Sequence, residues 1–136
     1  MQLDQQPRDP GVRDRLREEL ARLPDVVWQP SGISVPGAQA LCLAAGSGDG
    51  PPEAFMIGRE FAHLHPDPDY SLHAMVPVEF AEQLIAAGWA EPHPAARMGL
   101  LAPTGIMVYA PRDDQEAAMV ARIVAASRAF ALGAAA

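Results

Sequence analysis

The chain has 136 residues, 49% of them hydrophobic and 20% charged, with a net charge of −7 and a pI near 4.9. A chain of this size can bury roughly two-thirds of its unfolded surface, enough for one core, and its composition excludes global disorder. The acidic balance and scattered basic residues exclude binding driven by nucleic-acid phosphates or an anionic membrane surface.

Residues 1–10 carry two prolines and no periodic pattern, and are expected to form a loose tail. Their polar start, Met1-Gln2-Leu3-Asp4, is not a secretory signal, and no stretch approaches the roughly 18 apolar residues of a membrane span. A cytoplasmic location is therefore expected. Val12, Leu16, Leu20 and Leu23 recur at helical spacing, which predicts a helix over residues 11–23, stopped by Pro24. Val26-Val27-Trp28 predicts a short strand, and residues 29–37, with two Pro and two Gly, a loop. The apolar run 38–45 has strand length. The Gly- and Pro-rich stretch 46–52 then predicts a hairpin between 38–45 and 54–57. Cys42, the single cysteine, lies inside that run and reads as a small buried hydrophobe with no disulfide partner.

Residues 61–65 and 71–76 read as strands around the turn 66–70. Pro77 opens a helix that carries Val78, Ala81, Leu84 and Ile85 on one face and ends at Gly88. Residues 98–102 and 105–109 predict a second hairpin around Pro103-Thr104. Asp113 followed by Glu116 resembles a capping box and starts a last helix from about 114 to about 131, before a frayed end at 133–136. The expected fold is α+β: a single domain over residues 11–132, mainly an antiparallel sheet with about three helices packed on one face.

Three of the chain's four histidines fall within eleven positions. Alternate residues of a strand share a face, so His63 and His65 point together with Phe61. On the returning strand His73 shares a face with Ser71 and Met75. If Leu64 shares the core with Leu72 and Ala74, the three imidazoles meet on the opposite side. A register placing His65 against Ser71 sets His63 against His73, with Cβ atoms about 5 Å apart. A slip of one residue would destroy the patch.

Such a patch suits two chemistries. Neutral imidazoles ligate zinc, iron and other transition metals, with His63, His65 and His73 as the ligand set. Alternatively, one histidine acts as a general base while the others orient a substrate. An ordinary polar sheet face is the plainer alternative, and a non-catalytic interaction domain is a third reading. Trp89 reads as a core or cleft-wall aromatic, and Glu91 and His93 as residues of an extended loop that can reach the patch. Arg112, at the start of the last helix, points to an anion partner or to a salt bridge with Asp or Glu. Arg59 and Glu60 either pair with each other or enter the site.

The segments Glu60-Phe61-Ala62-His63-Leu64-His65-Pro66, Ser71-Leu72-His73, Gly88-Trp89-Ala90-Glu91-Pro92-His93-Pro94 and Tyr109-Ala110-Pro111-Arg112 together resemble the luciferase-domain family, named from the fungal luciferases and with many bacterial members. The resemblance runs from about residue 53 to about residue 131. It implies oxygen-using chemistry on a small aromatic, pyrone-like or polyketide-like molecule, without flavin or ATP. Fungal members oxidise a hydroxylated hispidin with O₂ and emit light; this chain is shorter and is expected to lack their N-terminal membrane anchor.

The expectation is a small oxygenase-like enzyme with His63, His65 and His73 at its catalytic centre. Glu60, Tyr70, Trp89, Glu91, His93 and Arg112 are expected to contact the substrate. Molecular oxygen is the expected co-substrate and no cofactor is required. Replacing His63 and His73 together is expected to leave stability nearly unchanged. The sequence leaves the oligomeric state open, a homodimer included.

Overall fold

The computed structural model describes residues 5–133. The first four residues of the expected tail and the last three of the expected frayed end lie outside them. Helix α1 (Gly11–Leu20) is followed by strands β1 (Val26–Pro30), β2 (Gln39–Leu43), β3 (Glu60–Leu64) and β4 (Leu72–Met75). Helix α2 (Val78–Ala86), strand β5 (Ala90–Pro92), a short helix α3 (Pro94–Arg97), strand β6 (Gly105–Val108) and helix α4 (Asp114–Leu132) complete the chain. The six strands form one sheet in the order β1-β2-β3-β4-β6-β5, and every neighbouring pair is antiparallel. The fold is α+β, as the element pattern predicts. Among the described residues no helix is long and apolar enough to cross a membrane.

Alternation along the strands divides the sheet into two faces. Leu41, Leu43, Ala62, Leu64, Leu72, Ala74, Ala90, Ile106 and Val108 face the helices. There they share one core with Val12, Leu16 and Leu20 of α1, Ala81 and Leu84 of α2, and Val120, Ile123 and Val124 of α4. This burial is the main stabilising term, about 25 cal/mol per Å² of apolar surface. Helix α4 starts where the sequence predicts, because the Asp113 side chain accepts the Glu116 N–H at 2.8 Å. It stops at Gly133, whose φ of 83° suits a residue without Cβ.

The opposite face carries an unbroken row of Cα partners across all six strands: Gln29, Ala40, His63, His73, Met107 and Glu91. Cys42 lies on this second face, paired with Val27, and is buried with its thiol pKa pushed up by desolvation.

Three local expectations are corrected. Residues 54–57 are not a strand: Pro52–Ala54 is a 3₁₀ turn, and β2 pairs with β1 and β3 instead. Pro51 and Pro52, just before it, set up that turn, and the N–H groups of Ala54 and Phe55 donate back to their carbonyls instead of to a ladder. Residues 98–102 are not a strand either. Pro94 opens α3, His93 caps it and Gly99, at φ 74°, ends it, leaving Met98 and Leu100 exposed, while β6 pairs with β4 and β5. Phe61 does not share a face with His63. Leu41 pairs with Ala62 but Cys42 with Glu60, so Phe61 is a surplus residue in a β-bulge. Its side chain enters the core, and alternation restarts one residue out of step, turning Glu60 toward the histidines.

Candidate histidine centre

The predicted register is present: His63 pairs with His73, and the His65 ring reaches Ser71. The rings of His63, His65 and His73 have centroids 4.4–5.3 Å apart, and the ring of His93 lies 4.0 Å from that of His73. The structure thus gathers all four histidines on one side of the sheet. His63 and His65 are buried, and His73 is partly so.

Hydrogen bonds constrain the proton positions, and a tautomer is assigned to each ring by giving it one N–H and one lone pair. Glu60 is 2% exposed; it accepts from Ser31 Oγ at 2.8 Å and from Gly32 N–H at 3.0 Å, and its Oε2 lies 2.8 Å from His63 Nδ1. Burial alone would raise the Glu60 pKa, but these bonds outweigh it and hold the carboxyl below its ordinary range. An ionised Glu60 accepts from His63 Nδ1–H, which leaves His63 Nε2 as an acceptor. His73 Nδ1 lies 2.9 Å from that atom and donates to it. The lone pair of the chain then sits on His73 Nε2. His65 Nδ1 lies 2.8 Å from the Ser71 carbonyl oxygen, which can only accept, so His65 too presents a bare Nε2. His93 runs the other way: its Nδ1 accepts from Ala95 N–H at 2.9 Å.

Desolvation lowers the pKa of His65 and His93, and lowers that of His73 to about 2, reinforced by the neighbouring His93, His65 and His63 rings. These three rings are uncharged at neutral pH.

Several supports come from residues that sequence reasoning does not single out. Ser31 and Gly32 stand in the loop after β1, far from Glu60 in sequence. Asp69 Oδ1 accepts from Ser71 N–H at 3.0 Å and Ser71 Oγ at 2.7 Å, an Asx-type turn legible in the Asp-x-Ser spacing. Arg13 of α1 donates to the His65 carbonyl and lies over the Tyr70 ring at 4.7 Å.

The other expected site residues are dispersed. Glu91 lies on the histidine face, within 3.5 Å of the Tyr109 hydroxyl and 3.7 Å of Arg97. Trp89 and Arg112 line a separate cleft of about 200 Å³ with Tyr109 and Pro111, and no histidine lines it. Arg112 Nε donates to Glu116 at 2.9 Å, so the salt bridge is the arrangement found. Tyr70 lines a third hollow with Arg13, Pro66 and Asp67. Arg59 turns away from Glu60 to the carbonyls of Ala44 and Gly48.

The profile of the Luciferase domain family matches residues 58–127, which include His63, His65, His73 and His93. The chain belongs to the luciferase-domain family. Within that family it is similar to a luciferase of Armillaria mellea, at 37% identity over 71 residues. It is equally similar, at 37% over 71 residues, to luciferases of Armillaria ostoyae and Neonothopanus nambi. Each alignment covers 51% of this chain and 27% of the relative, so the match spans about a quarter of the length of these curated luciferases. No solved structure matches this luciferase-domain chain.

Proposed function

We propose that this luciferase-domain protein is an oxygen-using enzyme acting on a small, acidic enol or pyrone, with the histidine centre as its proton acceptor. The observation that carries this reading is the hydrogen-bonded line Glu60–His63–His73; with the tautomers assigned above, it ends in a lone pair on His73 Nε2. A histidine held to about 2 is by itself a poor base near neutral pH. The line changes that balance. As His73 Nε2 takes the substrate proton, His73 Nδ1–H can pass its own proton to His63 Nε2. The positive charge then rests beside the Glu60 carboxylate, 2.8 Å away, instead of among neutral rings.

The resulting enolate gives an electron pair to O₂, forming a carbon–oxygen bond. The stored proton returns to the peroxide, so substrate and O₂ sum to a hydroperoxide with no other reactant. The similarity to proteins named luciferase supports the oxygen chemistry. His93 and Glu91, beside His73 and on its row, are the residues we assign to substrate contact.

Oxygen uptake with a hydroxypyrone substrate tests this. We expect uptake well above autoxidation, equimolar with substrate loss, and a fall of about a hundredfold or more in His73→Gln. Uptake that is unchanged in this folded variant refutes the assignment. The same nitrogens also suit a metal ion such as zinc or iron, which would stand in place of this proton line, so the assay uses chelator-treated protein.

A further inference from the structure

We propose that His63, His65 and His73 form a binding site for one divalent first-row transition metal ion, His63 and His65 ligating through Nε2 and His73 through Nδ1. Metal occupancy and the proton line proposed above are alternative states of the same nitrogens, because an ion on His63 Nε2 and His73 Nδ1 displaces the hydrogen bond between them; metal content and oxygen uptake by the metal-free protein are read separately, so either can fail alone.

Three observations carry the inference. The first is convergence: one ligand nitrogen from each ring lies within 4.8 Å of the other two. Two imidazole nitrogens bound at about 2.0–2.1 Å to one ion are separated by about 2.9 Å at a right angle and about 3.4 Å at the tetrahedral angle. His63 Nε2 and His73 Nδ1 already stand 2.9 Å apart. Bringing the widest pair into the same range needs only a ring rotation of about 1–2 Å.

The second is the support behind the rings. A metal-bound histidine characteristically donates its other N–H to a carboxylate or a backbone carbonyl, which fixes the ring and its tautomer. His63 Nδ1 faces Glu60, and His65 Nδ1 faces the Ser71 carbonyl. Both kinds of partner are present, one behind each ring. Glu60 also places a buried negative charge behind the centre. That is costly for a purely structural core and useful next to a cation.

The third is access. Arg13 Nε is the only buried side-chain polar atom without a partner among the described residues, so His65 Nε2, which makes no hydrogen bond, is not sealed in. An ion replaces the His63–His73 hydrogen bond, and His73 keeps its proton by carrying it on Nε2. Three imidazole nitrogens, with the Glu60 and Asp69 carboxylates on the far, Nδ1 sides of His63 and His65, favour zinc, copper, nickel or iron over calcium or magnesium. They leave further coordination positions open.

The test uses untagged full-length protein, stripped with chelator and then equilibrated with Zn²⁺ or Co²⁺. Metal content after gel filtration and the visible absorption of the Co²⁺ form are the readouts. We expect about one equivalent in the wild type. We expect loss of that equivalent in His65→Ala/His73→Ala, and a tenfold to hundredfold weaker affinity in Glu60→Gln. Both substitutions spare the deeply buried His63, and thermal unfolding checks that each variant is folded. Less than about a tenth of an equivalent in the wild type overturns the proposal. So does full retention by the double variant, which would put the ion elsewhere.

Discussion

Glu60 and His63 are three residues apart in sequence, both almost fully buried, and joined by a 2.8 Å contact from Oε2 to Nδ1. In a regular strand they would project from opposite faces; the bulge at Phe61 puts them together. The pair sets the proton positions in the histidine line, and its surroundings lead to the following tests.

His63→Ala removes the partner of a buried carboxylate that is only 2% exposed. Breaking such a pair from one side costs about 3–5 kcal/mol, a large share of the 5–15 kcal/mol that holds a typical domain together. Urea unfolding should show this loss. His73 is partly exposed, and replacing it with Ala should cost about 1 kcal/mol. The expectation that the double replacement spares stability is therefore revised: the buried contact with Glu60 makes His63 a structural member of the fold.

Stability should fall as pH drops below about 6.5. Burial depresses the pKa of His65, His73 and His93, so between the folded and unfolded values the unfolded chain binds more protons. Their contribution is complete above 6.5 and is lost as the pH falls. For His73, with 6.5 as its ordinary value, 1.5 pH units below that value cost about 2 kcal/mol at pH 5. Thermal melts between pH 7.5 and 5 check the sign; a flat profile would contradict it.

The bulge has its own anchor. Ser127 Oγ of α4 donates to the Phe61 carbonyl at 3.2 Å, with both residues fully buried. Ser127→Ala should cost about 1 kcal/mol by removing that buried hydrogen bond. Denaturant titration measures it, and the ¹⁵N shifts of the His63 ring should move if the bulge relaxes.

Met98 and Leu100 are 72% and 75% exposed beside the α3 turn. Changing either to Glu should alter stability by no more than about 0.5 kcal/mol. A larger loss in a thermal melt would mean that this turn packs against something when the protein is in solution.

Much of the centre was readable in advance, for a physical reason. The turn between His65 and Ser71 is short, so two strands with matching alternation could pair in few ways, and one of them opposed His63 to His73. What the sequence hid was non-local or irregular. The bulge at Phe61 depends on packing under α4, not on any local signal. Ser31 meets Glu60 across 29 residues. The apolar runs at 54–57 and 98–102 looked like strands, but an apolar run becomes a strand only when an edge is free to receive it. In the second case β5 had already taken the edge of β6.

The two strands that carry His63 and His73 lie inside the sheet, each bonded to a neighbour on both sides. Their backbones cannot shift without breaking two ladders at once, so the spacing of those two rings is as rigid as this fold allows. If the centre takes a small molecule as proposed, any adjustment to its shape falls instead to the flanking segments, the Ser31–Gly32 loop and the stretch beginning at His93. Divergence in preferred substrate among similar chains should accordingly collect in those segments, while the imidazole frame stays constant.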